Sequence, residues 1–189
     1  TLFEMHGNIP GLPALEEQIS TWKRKAAQKN IPFHMFTTLR DPVDHQVSYF
    51  LHFHGLRCKW SWCEKDLYEV SPENLLQASI PNRQCSILYH GQSERKTETP
   101  PTVTDEQCNQ VSQLLQKHMT WIGMTDSLPD TTLPLLAKLL KVPFVKAHSN
   151  AHRKSLELDE QMTARLRSLS SMDSKLIRDT VSQSDVFPR

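Results

Sequence analysis

Hydrophobic residues in the first forty positions follow two different periods. Residues 13–30 carry one apolar stripe at helical spacing among Glu and Lys, formed by Leu15, Ile19, Trp22 and Ala26. Residues 33–39 alternate between apolar and polar, as a strand does, and residues 1–11 contain a short apolar run before a Pro- and Gly-containing loop. The resulting order of strand, helix and strand is typical of a parallel sheet flanked by helices.

The rest of the chain repeats the alternation of helices and a strand. Asp41 is suited to cap a helix from Pro42 to about residue 54, and TDEQ at residues 104–107 predicts a capping box that opens another. MTWIGM predicts a short buried strand, after which a leucine-rich helix carries Pro134 in its first turns. A short helix opened by SPENLL and one or two closing helices over residues 158–182 complete the pattern.

Composition and charge narrow the classes of partner. The 189 residues are 38% hydrophobic, which indicates one soluble globular domain over residues 1–189. The net charge is +1, so no global field favours nucleic acid or an anionic membrane, and we expect no nucleic-acid partner. Any anion site must therefore be local. No stretch approaches the roughly 20 apolar residues that span a bilayer.

The four cysteines follow neither a redox CxxC pattern nor a zinc spacing; they are Cys58, Cys63, Cys85 and Cys108. Cys58 and Cys63 flank KWSW, and they are placed to close a small disulfide loop in an oxidising compartment. The alternative is that these cysteines are partly buried thiols.

The most specific chemistry lies where the second predicted strand ends, at Arg40. In an open α/β sheet, ligands bind beyond the carboxyl ends of the strands. Arg40 offers a planar fork of donors suited to phosphate, the helix that begins at Pro42 adds N–H groups, and Ser48 adds a hydroxyl if the phosphate lies along the helix. The alternative is a structural pair of Arg40 with Asp41 or another carboxylate, with Ser48 as an ordinary helix residue.

The stretch TTLRDPVDHQVSYF resembles the 3′-phosphate-binding segment of sulfotransferases, in which a strand ends in Arg-Asp-Pro or Arg-Glu-Pro and a Ser follows eight residues after the Arg. Arg40 and Ser48 match both positions, and the resemblance implies that they bind the 3′-phosphate of 3′-phosphoadenosine 5′-phosphosulfate (PAPS). PNRQCSILYHG, WIGMTDSLPDTTLPLL and LSSMDSKLIRDTV are similar to later segments of the membrane-bound carbohydrate branch, particularly heparan sulfate and uronyl 2-O-sulfotransferases.

The resemblance also suggests a catalytic base. Sulfuryl transfer to an alcohol needs the hydroxyl deprotonated as it attacks, and His6 in FEMHGN follows an apolar run at a strand end. Glu4, two residues earlier, is the candidate helper or substitute. Related 2-O-sulfotransferases carry His-Gly-His here, whereas this chain has Asn8 at the place of the second histidine. His52 and His54 lack the i, i+4 spacing of a helical metal site, and we expect no metal.

The resemblance carries further expectations about the whole protein. The fold is a P-loop-NTPase-like parallel sheet flanked by helices, the acceptor is a carbohydrate hydroxyl, and the full-length form is anchored in the Golgi membrane with its domain in the lumen. The family's glycine- and lysine-containing loop for the 5′-phosphosulfate does not occur in these residues, and the resemblance places it before Thr1. The chain would then be the C-terminal portion of a domain and would transfer sulfate poorly alone.

Two other functions are compatible with the same sequence features. One is a non-catalytic, sulfotransferase-like scaffold that binds a nucleotide or a sulfated glycan, and the other is a P-loop phosphotransferase. Four further basic residues have two interpretations, as contacts to donor or acceptor or as solvated surface charge: Arg83, His148, Arg153 and Lys154.

Overall fold

A computed structural model describes residues 9–53, 70–92, 101–127, 133–141, 143 and 156–181. Contacts divide the chain into two compact units: the first includes residues 1–37, 81–122 and 171–189, and the second includes residues 38–80 and 123–170. We refer to them as the first and the second unit. A single domain over residues 1–189 stays a prediction.

Helices dominate the described residues. The eight helices are α1 (Leu12–Gln28), α2 (Pro42–Phe53), α3 (Pro72–Ala78), α4 (Arg83–His90), α5 (Asp105–His118), α6 (Leu133–Leu140), α7 (Glu160–Leu169) and α8 (Ser171–Val181). The four strands are β1 (Ile9–Pro10), β2 (Phe36–Leu39), β3 (Gly91–Gln92) and β4 (Trp121–Met124), and a 3-10 turn covers Thr125–Ser127. The helices predicted from capping residues and apolar periodicity are all present among these.

Strands β2 and β4 form a two-stranded parallel sheet flanked by helices. The backbone N–H of Thr120 donates to the carbonyl of Met35 at the start of the pair, and the Thr125 hydroxyl donates to the carbonyl of Leu39 at its end. Both strands therefore advance in the same direction. In the described part of the chain, β1 does not join this sheet but pairs antiparallel with β3. The mixed α/β class is confirmed at this coarse level.

The first unit packs α5 against α1, α4 and α8. The capping box of α5 is confirmed, since the Thr104 hydroxyl accepts the N–H of Gln107 and the Gln107 side chain accepts the N–H of Thr104. The stripe of α1 needs one correction. Leu15 and Ile19 are buried as predicted, but Trp22 is 37% exposed because it lies at the border of the buried face.

Helices α4 and α8 cap each other in the first unit. The buried carboxylate of Asp173, in the first turn of α8, accepts the N–H groups of Gln84 (3.1 Å) and Cys85 (2.8 Å) at the start of α4. In return, the side-chain oxygen of Asn82, the N-cap residue of α4, accepts the N–H of Met172 (2.9 Å) at the start of α8. We call this arrangement the reciprocal cap. It fixes the two helix starts against each other.

A disulfide joins α4 to α5. Cys85 and Cys108 are both buried, and their Cα atoms lie 5.4 Å apart. This pairing was not predicted, because no helix was predicted at α4 and its contact with α5 cannot be read from the spacing of the cysteines. The predicted Cys58–Cys63 pair lies outside the described residues.

The second unit has its own apolar core beneath α2, α3 and α7. Its buried members are Val43, Phe50, Leu51, Leu75, Met162 and Leu166. On α2, Val43, the partly buried Val47 and Phe50 follow one another at the four- and three-residue spacing that aligns side chains on one helix face. The core therefore fixes the orientation of α2, the helix that carries Ser48.

Candidate anion site at the end of strand β2

The turn after β2 places Arg40 between a buried strand end and a capped helix. Leu39 is 2% exposed, and Arg40 follows it with a partly buried side chain. The Asp41 carboxylate accepts the N–H groups of Val43 (2.9 Å) and Asp44 (3.1 Å), which confirms Asp41 as the cap of α2. Pro42 occupies the first helical position, where its missing N–H costs nothing.

The cap changes where an anion can bind. The backbone N–H groups of Val43 and Asp44 already donate to a carboxylate, and the N–H of His45 donates to the Asp41 carbonyl at 2.8 Å. A phosphate placed over the helix end would meet the negative charge of Asp41 instead of open donors. These amides are therefore engaged by Asp41, and their participation in an anion site stays a prediction. A phosphate that avoids the capped helix end would depend on side-chain donors, for which Arg40 and Ser48 are the candidates.

Ser48 lies on α2, six residues after Pro42, and is partly buried. At 1.5 Å per residue, it stands about 9 Å along the axis from the helix start. Arg40 belongs to the same unit and lies two residues before the start of α2. A phosphate that contacts both side chains would have to lie beside the first two turns of α2.

The buried side chain of Gln46 holds α2 in place. Its amide nitrogen donates to the carbonyl of Ile80 at 2.5 Å, and its oxygen accepts the Ile80 N–H at 3.4 Å. The same amide nitrogen lies 3.5 Å from the Ser170 hydroxyl at the end of α7. Gln46 is 2% exposed, so these bonds are shielded from water. They leave α2 little freedom to rotate and so hold Ser48 at a fixed position.

Thr125 is a residue of this site that sequence reasoning did not single out. Its hydroxyl donates to the carbonyl of Leu39 at 3.0 Å and joins the end of β4 to the residue before Arg40. Asp126 follows in the 3-10 turn and is exposed. The only sequence signal was a Thr directly after an apolar strand. The two strand ends thus meet at one edge, where α/β proteins place their ligands.

The other predicted site residues have different outcomes. His6 and Glu4, the candidate base and its helper, lie outside the described residues, as do His148, Arg153 and Lys154. Arg83 is 4% exposed, so its interpretation as solvated surface charge is wrong. It lies in the first unit, where its positive charge acts on Asp173.

The described ranges contain neither a metal-binding group nor a membrane-spanning helix. No group of three or more His, Cys, Asp or Glu side chains there is arranged to hold a metal ion. Among the helices of the same residues, none combines the length and the apolar character that a membrane crossing requires.

Comparison of the chain with protein-family models, with curated proteins and with solved structures gave no match.

Proposed function

We propose that the chain is the donor-binding part of a PAPS-dependent sulfotransferase that acts on a carbohydrate hydroxyl. The observation that carries the proposal is the strand-end Arg40, followed by a capped helix that presents Ser48 two turns along. This is the spacing of the sulfotransferase 3′-phosphate segment. The confirmed α2 start at Pro42 and the parallel pairing of β2 with β4 support it, because the resemblance implies a strand of a parallel sheet followed directly by a helix.

The proposal extends beyond the described residues. The two-stranded sheet would be part of a larger, P-loop-like parallel sheet, and the 5′-phosphosulfate loop would come from a segment that precedes the His6 stretch. The full-length protein would work in the Golgi lumen from a membrane anchor. Arg40 and Ser48 then hold the nucleotide end of the donor, while the sulfuryl group is positioned elsewhere.

The proposed reaction is an in-line displacement at sulfur. The acceptor hydroxyl oxygen forms a bond to sulfur while the bond from sulfur to the 5′-phosphate oxygen breaks, and 3′,5′-adenosine bisphosphate leaves with that electron pair. The hydroxyl proton passes to a base, for which His6 is the candidate and Glu4 its helper. Arg40 contributes by fixing the 3′-phosphate, since positioning supplies much of the rate in such transfers.

The test measures the affinity for two nucleotides by calorimetry on the full chain. One is 3′,5′-adenosine bisphosphate and the other is 5′-adenosine monophosphate, which lacks the 3′-phosphate. Arg40→Ala removes a charge-assisted contact and should weaken bisphosphate binding about ten- to a hundredfold. Ser48→Ala should weaken it about two- to tenfold. Neither change should alter binding of the monophosphate.

Two exposed residues of α7, in the same unit, supply matched controls: Arg165→Ala for Arg40→Ala, and Ser168→Ala for Ser48→Ala. Equal bisphosphate affinity in Arg40→Ala and in the wild type would contradict the proposal. If Arg40-dependent binding is present but no labelled sulfate reaches a carbohydrate, even in an N-terminally extended form, the scaffold alternative is the correct function.

A further inference from the structure

One segment of the chain carries positive charge and no carboxylate. The whole sequence is balanced, with 22 Lys and Arg against 21 Asp and Glu. Between Glu17 and Asp41, however, no acidic residue occurs, and five basic residues do: Lys23, Arg24, Lys25, Lys29 and Arg40. Four of the five lie in the C-terminal half of α1 or at its cap. The first unit therefore has a local positive surface that the net charge conceals.

The helix arranges part of this charge beside an exposed aromatic ring. Trp22, Lys25 and Lys29 stand at positions i, i+3 and i+7, which places them on one face of α1. All three are exposed, and Trp22 has 37% of its surface accessible. From Trp22 to Lys29 the face extends about 10 Å along the axis. We call these three residues the Trp22 strip.

Two backbone hydrogen bonds define where α1 ends, directly after the strip. Asn30 adopts the left-handed conformation (φ 51°) and donates its N–H to the carbonyl of Ala27, while the N–H of Ile31 donates to the carbonyl of Ala26. These two bonds form a Schellman motif, the common termination of a helix. Ile31 is 55% exposed and extends the accessible apolar surface next to the strip.

One carboxylate of α1, that of Glu16, is engaged away from the strip. The carboxylate of Glu16, on another face of α1, forms an ion pair with Lys117 at 2.6 Å. Lys23 lies on that same side, because its ammonium group donates to the carbonyl of Lys117. Within the described residues, no hydrogen bond or ion pair involves the side chain of Lys25 or Lys29. Their charges are accessible to a ligand.

We propose that the Trp22 strip binds an extended polyanionic carbohydrate chain, with the indole against a sugar ring and the two lysines on its sulfate or carboxylate groups. The inference rests on the proposed function for an acceptor of this class, and it adds a contact surface in the first unit, whereas Arg40 belongs to the second. The Cys85–Cys108 disulfide supports the choice of ligand, because disulfides persist in oxidising compartments, where acidic glycans rather than nucleic acids are the abundant polyanions.

The experiment measures binding of a size-defined, heparin-derived hexasaccharide to the full chain. Lys25→Gln with Lys29→Gln should weaken binding about three- to tenfold at physiological salt and lower its salt dependence. Trp22→Leu keeps apolar volume but cannot stack, and it should weaken binding about two- to tenfold. The control, Lys138→Gln with Lys175→Gln, removes the same charge from exposed positions elsewhere and should leave affinity within twofold.

Equal weakening in the control variant, or no effect of Trp22→Leu, would overturn the inference. It would also be overturned if the chain bound another polyanion as tightly as the hexasaccharide. The two polyanions to test are a single-stranded DNA of matched charge and vesicles with roughly 30% phosphatidylserine, a composition typical of anionic leaflets. Binding of 3′,5′-adenosine bisphosphate should be unchanged in the strip variants, and hexasaccharide binding should survive Arg40→Ala. The two measurements therefore distinguish an error in the proposed role of the Trp22 strip from an error in the proposed donor site.

Discussion

Helices α4 and α5 of the first unit begin in opposite ways. Helix α5 starts with a capping box between Thr104 and Gln107, three residues apart on an exposed turn. Helix α4 starts at Asn82, whose side chain makes no bond to its own helix, and its first N–H groups are satisfied by Asp173. The two caps perform the same task with partners separated by three residues in one helix and by 88 or 89 in the other.

This difference affects how much each cap contributes to the stability of the fold. A local cap stabilises its own helix, and water can replace it when it is lost. The reciprocal cap also specifies which helices meet, and it is buried, with Asp173 1% exposed and Arg83 4% exposed. Loss of a buried partner leaves donors that water cannot reach, so the cost is several times greater.

The largest loss of stability is expected when Asp173 is removed from the reciprocal cap. Asp173→Ala leaves the N–H groups of Gln84 and Cys85 without this acceptor and takes a carboxylate from beside the buried charge of Arg83. The free energy of unfolding should fall by about 3 to 5 kcal/mol, measured by urea denaturation at pH 7.

Asp179→Ala, on the same helix, is the control and should cost less than about 1 kcal/mol. A double-mutant cycle with Asn82→Ala sharpens the comparison, because the two halves of the reciprocal cap should be coupled. Additive losses would show that each helix start is stabilised independently.

The second prediction concerns pH. Burial raises the pKa of Asp173 from 3.8 to about 6, against the lowering effect of its backbone hydrogen bonds and of Arg83. The folded state then holds this proton more tightly than the unfolded chain. The free energy of unfolding should therefore fall as the pH rises from about 4 to about 6 and level off above, by at most about 3 kcal/mol.

The measurement compares pH profiles of wild type and Asp173→Asn, whose side chain does not titrate. The comparison is needed because the buried His118 acts in the opposite direction: burial, then Lys23, lowers its pKa, so its contribution to stability is lost as the pH falls below about 6.5. A wild-type profile parallel to that of the variant would show that Asp173 does not control the pH response.

The smallest effect is expected at the local cap. Thr104→Ala removes the hydroxyl that accepts the Gln107 N–H at 3.3 Å, on an exposed turn. The free energy of unfolding should fall by about 1 kcal/mol, without a change in pH dependence. If urea denaturation gave a loss as large as that of Asp173→Ala, the distinction between local and long-range caps would not hold.

The same distinction explains which parts of the fold were predictable. The starts of α2, α3 and α5 were found because Asp41, Ser71 and Thr104 lie directly before their helices and bond to N–H groups two or three residues on. The start of α4 and the Cys85–Cys108 disulfide were missed, because their partners are distant in sequence and are set by how helices pack. The exposure of Trp22 was missed because periodicity defines a stripe but not its edges.

The candidate site also contains features that the sequence predicted and features that it could not predict. Arg40, Pro42 and Ser48 lie within nine residues, so their spacing could be read directly, and the helix they predict is present. The contribution of Thr125 depends on a strand pairing across 86 residues, which no local pattern shows. The effect of the Asp41 cap on where a phosphate can bind could not be predicted from the sequence. Only the structure shows that Asp41 both starts the helix and accepts its first N–H groups.

Gly11, the N-cap residue of α1, has a consequence for the comparison of this chain with others. A Cβ atom at this position would overlap the carbonyl oxygen of Tyr89, at the end of α4. The backbone dihedrals of Gly11 are ordinary (φ −64°), so the requirement comes from the crossing of two chain segments and not from conformation. Any chain that brings these segments equally close must keep a glycine here, which makes Gly11 a marker of this chain crossing that is independent of catalysis.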